Sequence, residues 1–420
     1  MLTQGQKANP RNGGSRTKFF WLDIERAREP LSPHAGSEKV CALACLLMHI
    51  CAALQPSAHE DFCPAPLART LCRESGDSLL AQPSLSCQTV IMRGAVLIFM
   101  ALSLWAWAGE KSALLRPTVY GGEGDASGAV AVTSNLFLVA DDEDNSLRLY
   151  RNDMGGPPIK EFDCNAFLEL SGKSMEADLE AGARIGSRAY WIGSHGRNKN
   201  GKERPNRCRL FATDLNVAGD EVKVTPVGKP YKGLLNDLIR DPRFEHFHFA
   251  AAARLMPKKA GAFNIEGLSA MPKGHLLIGF RNPIPQGKAL LIPLLNPNEV
   301  IEGSSARFGS AIQLDLGGLG IRDIAFYEGI YIISAGPYHG GGPFRFYRWS
   351  GPGTETERIE VEDLKDYHPE AVIIYPDRGL REIQVLSDDG KREVDDVSNR
   401  DVLMRQRTFR SFWIAPGGSH

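Results

Sequence analysis

From about residue 128 onward, short apolar runs alternate with glycine-centred turns in a unit that recurs along the chain. An acidic residue opens a first apolar run, a turn follows, and a second run richer in β-branched and aromatic residues closes the unit. The copies are Glu180 to Gly193, Glu266 to Gly279, Asp323 to Ser334 and Glu370 to Ser387, with a fainter one at Gly128 to Ala140. The turns Ser134-Asn135, Gly186-Ser187, Pro272-Lys273-Gly274, Glu328-Gly329 and Pro376-Asp377-Arg378-Gly379 have hairpin composition. A third β-prone run follows each pair: Leu147–Tyr150, Arg209–Ala212, Ala289–Leu295, Phe344–Trp349 and Phe409–Ile414.

Self-similar multi-strand units can bury their faces only against neighbouring sheets, so the repeat predicts an all-β chain folded as a β-propeller. The spacing gives five blades. The long interval between Gly193 and Gly279 leaves room for a sixth, although Leu234–Asp241 and Phe244–Met256 read there as helix or buried segment. Closure falls to the C-terminal strand Phe409–Ile414 or to the N-terminal Thr118–Tyr120.

First strands of propeller blades line a central channel, so Glu180, Glu266, Asp323 and Glu370 at their heads converge on one axis. Like charges so placed repel unless a cation or a basic side chain sits among them. Two arrangements answer this: a Ca²⁺ site, since that ion takes carboxylate oxygens, or a ring of salt bridges to Arg184, Arg281 and Arg322.

Composition is that of an ordinary globular protein, 43% hydrophobic and 24% charged, and a net charge of −1 gives no nucleic-acid footprint. The N-terminal region differs from the rest. Cys41, Cys45, Cys51, Cys63, Cys72 and Cys87 all lie before residue 92, in a stretch without helical or strand period. Met92-Arg93, the apolar run Gly94–Trp105 and the small-x-small tripeptide Ala106-Trp107-Ala108 then form the three parts of a secretory signal peptide. The expectation is a non-globular upstream extension over 1–91, a signal peptide over 92–108 and a propeller domain over 109–420. The domain would be periplasmic or secreted, with no stable membrane span after cleavage. A buried helix or uncleaved anchor at Gly94–Trp105, or a leader for a longer precursor at Cys41–Leu54, is the competing reading. Export permits a disulfide between Cys164 and Cys208, but the pair reads as two unpaired buried thiols.

Several motifs carry candidate chemistry. The loop His195–Arg209 holds Arg197, Lys199, Lys202, Arg204, Arg207 and Arg209. Its distal residues read as a solvated hairpin tip, whereas His195 and Arg197 emerge directly from a strand end and, with Arg281, are placed to receive an anion. His339-Gly340-Gly341-Gly342 is composed like an esterase oxyanion loop, yet no G-x-S-x-G nucleophile motif accompanies it, and it reads as an interblade loop. Asp141-Asp142-Glu143-Asp144 could feed carboxylates to a cation or form a solvated acidic turn. His246 and His248 lack a nearby third ligand, and neither a P-loop nor an H-E-x-x-H helix is present.

The stretches 178–215 and 263–283 resemble the bacterial family known as domain of unknown function 3616, over about residues 125–415. The Glu266-Gly267-Leu268 opening is also similar to the exported propellers described as phytase-like esterases. The second resemblance implies channel carboxylates holding Ca²⁺, which activates water or clamps phosphate. It reaches Glu180, Glu266 and Glu370, while Asp323 departs in type and spacing. Two functions follow as expectations. One is an exported metal-assisted hydrolase of a phosphorylated or ester-containing small molecule. In it Glu180, Glu266 and Glu370 hold the cation, one of them or Asp323 orients water, and His195, Arg197 and Arg281 take the anion. The other is a non-catalytic propeller binding a small anionic ligand or a protein partner. A fold that hosts both cannot choose between them.

Overall fold

The computed structural model describes residues 114–416, apart from 220, 363 and 395. The leader-like stretch 92–108 and the extension 1–91 lie outside the described residues.

Five four-stranded antiparallel sheets form five blades. An outer strand, β1 (Leu115–Gly121), precedes blade I, which comprises β2 (Ala126–Ala131), β3 (Leu136–Asp141), β4 (Ser146–Arg151) and β5 (Lys160–Asp163). Blade II is β6 (Leu179–Ile185), β7 (Arg188–Gly193), β8 (Leu210–Ala218) and β9 (Glu221–Tyr231). Blade III is β10 (Asn264–Met271), β11 (His275–Asn282), β12 (Ala289–Leu294) and β13 (Ile312–Leu314). Blade IV is β14 (Gly320–Tyr327), β15 (Ile330–Gly336), β16 (Arg345–Trp349) and β17 (Thr356–Ile359). Blade V starts with β18 (Pro369–Ile373) and β19 (Ile383–Ser387). A small hairpin, β20 (Glu393–Val394) and β21 (Val397–Ser398), interrupts it before β22 (Thr408–Ile414).

The strand order of the last sheet is β1-β22-β19-β18, so both termini of the propeller share blade V. Closure therefore uses the N-terminal and the C-terminal strand together: Val119 pairs with Arg410 and Tyr120 with Phe409. The long interval after Gly193 holds no sixth blade. It is taken up by the long β8–β9 hairpin and by helices α1 (Leu234–Arg240) and α2 (Phe249–Ala252); a further short helix, α3 (Pro297–Ile301), follows β12. Among the described residues no helix is long and apolar enough to cross a membrane.

Each junction between blades is filled by its own apolar cluster. Val130, Leu138, Trp191 and Phe211 fill the first, and Tyr190, Ile192, Phe263 and Phe280 the second. Leu277, Ile321, Ile333 and Trp349 form the third, and Ile332, Phe346, Val385 and Phe412 the fourth. The ring is sealed by Tyr120, Phe137, Tyr150 and Phe409, with Tyr120 stacked on Phe409 at 5.0 Å between ring centroids. At about 1.5–3 kcal/mol for each fully buried large side chain, these interfaces hold the blades together. Small residues let the inner strands approach: a Cβ on Gly128 would lie 2.7 Å from the Cα of Ala181 in the next blade.

Candidate functional site

Every first strand carries a one-residue bulge near its start. The unpaired residue is Ser127 in blade I, Glu180 in II, Glu266 in III, Arg322 in IV and Glu370 in V. A bulge inserts one residue against its partner strand and re-aims a side chain. Ser127, Glu180, Glu266, Arg322 and Glu370 are thus one ring of equivalent positions. A second ring comes from the second-strand residue that follows the partner of the position just before each bulge: Asp142, Ser194, Arg281, Gly336 and Asp388. Together they furnish one mouth of the channel.

This register corrects the reading of Asp323. It is a paired residue, one position after the bulge, and its Oδ2 accepts from the backbone N–H of Val372 at 2.7 Å, tying blade IV to blade V. Burial holds its carboxyl well above the ordinary range, and no charged group contributes. Asp323 joins blades; Arg322 takes the ring position.

Glu266 and Glu370 are committed to arginine. Arg281 Nη1 donates to Glu266 Oε1 at 2.5 Å, and Asn264 Nδ2 donates to the same oxygen at 2.6 Å. Arg322 Nη1 lies 2.7 Å from Glu266 Oε2 as an ion pair without hydrogen-bond alignment, and Arg322 Nη2 pairs with Glu370 Oε1. All four side chains are buried. Burial, then the adjacent Arg281, pushes Arg322 down to about 10.

Glu180 differs. It is half-buried and, among the described residues, makes no ion pair. Burial, then the carboxylates of Glu266 and Asp178, hold it well above the ordinary range, while Arg322 and Arg281 oppose the shift.

Blades I and V supply the acidic side of the mouth. Asp125, Asp142 and Glu143 bring carboxylate oxygens within 4.8 Å of one another. The Arg400 guanidinium lies among them: Nε donates to Asp125 at 3.0 Å and stands 3.5 Å from Glu143 Oε1, and Nη2 is 3.8 Å from Asp142 Oδ2. Arg407 also pairs with Glu143. Burial, then the Asp388 carboxylate, raises Asp125 to about 8. Burial alone would raise Asp388 too, but the hydrogen bond with Asp125 and the nearby Arg400 hold it below the usual value.

The remaining predicted residues fall elsewhere or into structural roles. His195 is buried with a left-handed backbone (φ 56°); its Nδ1 bonds to the Gly193 carbonyl at 2.8 Å, and burial pushes it down to about 4, so the ring is neutral. Arg197 donates to the carbonyls of Ala253 at 2.9 Å and Gly201 at 3.0 Å, which pins its own loop. Among the described residues neither pairs with the ring glutamates. Arg184 belongs to the opposite end of the channel, where it donates to the Ala131, Val132 and Gly186 carbonyls. A cavity of about 470 Å³ opens at that end, walled by small and apolar residues such as Ala129, Gly182, Ala270 and Ala325. Its lining also carries Arg184 and Asp377, whereas the buried ion-pair network lies at the other mouth. Cys164 and Cys208 are unpaired.

Sequence reasoning missed Asp125, Asp388 and Arg400. One signal was available: Asp142 and Asp388 follow the second strands of blades I and V at the same register position.

The family described as "Protein of unknown function (DUF3616)" matches residues 224–375, in keeping with the resemblance drawn from the sequence. No curated protein matches the chain. Solved structures similar to it include the glutaminyl cyclase of Myxococcus xanthus, at 13% identity and a TM-score of 0.38, covering 73% of this chain and 99% of that one. The PQQ-bound aldose sugar dehydrogenase from Streptomyces coelicolor is similar at 12% identity and a TM-score of 0.35, covering 71% and 98%. A gluconolactonase from Xanthomonas campestris is similar at 11% identity and a TM-score of 0.32, covering 67% and 82%.

Proposed function

We propose that this chain is a ligand-binding propeller, and that its ligand is a small polar molecule with an anionic group seated over the charged mouth of the channel. The observation that carries this reading is the division of labour among the three ring glutamates. Glu266 and Glu370 are neutralised by Arg281 and Arg322, whereas Glu180, at the equivalent position of blade II, forms no ion pair among the described residues. The trio does not fit a Ca²⁺ ion as it stands, because the ion would have to displace the guanidinium groups that two of its three ligands already hold. Arg281 and Arg322, although paired with Glu266 and Glu370, stand beside Glu180, so the mouth sets guanidinium N–H groups next to a carboxyl that one molecule could engage together. An exported location for the domain rests on the leader-like stretch 92–108.

The test is a thermal-shift screen of the full chain against small polar anions, run on the wild type and on Glu180→Gln, with metal analysis of both proteins. The reading expects ligands whose stabilisation differs between the two proteins and no stoichiometric metal. Stoichiometric Ca²⁺ lost in Glu180→Gln would overturn it in favour of the metal-assisted hydrolase.

A second reading has one observation in its favour. The raised carboxyl of Glu180 beside Arg281 and Arg322 has the make-up of a general acid next to an anion clamp. Hydrolysis on that basis would survive chelator and disappear in Glu180→Gln, in a screen of esters, lactones and phosphomonoesters.

A further inference from the structure

The cavity at the Arg184 end of the channel is built by all five blades, and its lining repeats by register. The second, third and fourth residues after each bulge all lie on it: 129–131 in blade I, 182–184 in II, 268–270 in III, 324–326 in IV and 372–374 in V. They form three layers, with one residue from every blade in each. The innermost layer is apolar and buried throughout. In the middle layer Ser269 stands among Val130, Ala183, Ala325 and Ile373 as the one polar side chain. The outermost layer is half-buried in every blade, and Arg184 is its one polar side chain.

Both of these side chains keep unused hydrogen-bonding capacity. Ser269 is 1% exposed, and its Oγ has no partner. A hydroxyl buried in that state destabilises the fold unless a bound group answers it. The Arg184 guanidinium is fixed by carbonyls on two blades: Nη1 donates to Ala131 at 2.8 Å and Val132 at 2.7 Å, and Nε to Gly186 at 2.7 Å. Its Nη2 makes no hydrogen bond among the described residues, and burial lowers its pKa with no charged group contributing. Asp377, the other charged residue on the lining, is exposed on the β18–β19 turn and forms no ion pair with Arg184. A guanidinium held on two of its nitrogens presents the third in a set direction.

We infer that this end of the channel is a second binding site, for a small carboxylic acid with an apolar skeleton and one further oxygen. The carboxylate takes Arg184 Nη2, the skeleton lies against the apolar layers, and the further hydroxyl or keto oxygen meets Ser269. This site is separate from the charged mouth and does not depend on the reading given for it. A volume of about 470 Å³ falls within the usual small-molecule range of about 300–1,000 Å³. Arg184 is the one cation on the lining, so a monoanion balances it, whereas a dianion would bring a second charge against apolar walls. A wholly apolar ligand would leave both Ser269 and the free arm of Arg184 unanswered.

The experiment is calorimetric titration of the full chain at pH 7 with benzoate, 4-hydroxybenzoate, benzamide and acetate. The variants are Arg184→Met, Arg184→Lys, Ser269→Ala and Ala270→Leu. Arg188→Met is the control, because that arginine belongs to the same hairpin but lies off the lining and pairs with Asp214. The hydroxy acid should bind most tightly, and benzamide, which lacks the charge, and acetate, which lacks the skeleton, at least about tenfold more weakly than benzoate. Arg184→Met should weaken both aromatic acids by about tenfold or more, and Arg184→Lys should recover part of the loss. Ser269→Ala should remove the advantage of the hydroxyl and leave benzoate unchanged. Ala270→Leu fills part of the cavity while altering neither polar group, and should also weaken both acids, so the test holds even where Arg184→Met fails to fold. Failure of both acids to bind would overturn the inference, as would benzamide binding as tightly as benzoate. Acid binding that is indifferent to Arg184→Met and Ala270→Leu, or that falls as far in Arg188→Met, would overturn it equally.

Discussion

Arg322 of blade IV stands at the register position that Glu266 holds in blade III, and its Nη1 lies 2.7 Å from Glu266 Oε2. The one basic member of the bulge ring is flanked by glutamates on both sides, since it also pairs with Glu370. A ring of five equivalent acids would be unstable in a buried channel. A serine in blade I and an arginine in blade IV relieve that repulsion, and Glu180 is left as the ring glutamate that forms no ion pair among the described residues.

Replacing Arg322 by Met should be severely destabilising. It strips the shared partner from two buried glutamates, and breaking a buried ion pair on one side costs about 3–5 kcal/mol. The double variant Arg322→Met/Glu370→Gln should recover part of the loss, since Glu266 keeps Arg281. Chemical denaturation of the three proteins at pH 7.5 gives the comparison. A loss below about 1 kcal/mol at pH 7.5 would show that the network does not support the fold.

Glu266→Gln separates the salt-bridge reading from the metal reading. With Arg281 and Arg322 both paired to Glu266, the substitution leaves guanidinium charge unanswered and should lower the melting temperature by the same amount in Ca²⁺ and in chelator. A loss seen only with Ca²⁺ would instead identify the residue as a ligand, since a bound ion stabilises the state it binds.

Much of this was legible in the sequence, and the failures have physical causes. The inner and middle strands announce themselves because their apolar runs are long and their turns are rich in glycine and proline. The fourth strands do not: Lys160–Asp163 and Thr356–Ile359 are short and polar edge strands, and their pairing is decided by the neighbouring strand. Glu180, Glu266 and Glu370 were legible as one set because each opens its copy of the repeat. Asp323 was placed one residue out of register because a bulge adds a position that no alternation pattern displays.

Phe409→Ala tests the closure of the ring. Phe409 is fully buried, pairs with Tyr120 across the seam between the first and last strands, and contacts the Tyr120 and Tyr150 rings. Truncating it should cost about 3–5 kcal/mol, as for other buried phenylalanines, and should raise hydrogen exchange in β1 before the inner strands. Uniform loss of protection across all five blades would show that the seam is no weaker than the rest.

The pH dependence of stability should carry the mark of Asp125. In the unfolded chain its carboxyl titrates near 3.9, whereas in the folded protein burial and Asp388 raise it to about 8. Between those values the folded state holds a proton that the unfolded state has released, so this group makes stability fall as the pH rises from about 4 to about 8. Below pH 4 both states are protonated and its contribution to the slope vanishes. Asp125→Asn removes the titration while keeping the shape. The melting temperature of the variant, compared with that of the wild type, should therefore move in the variant's favour as the pH goes from 5 to 8. Asp388 shares the proton, so the pair should titrate as one unit, and Asp388→Asn should also flatten the profile. If the two melting curves keep a constant separation across that range, Asp125 is ionised throughout, held as a carboxylate by its ion pair with Arg400.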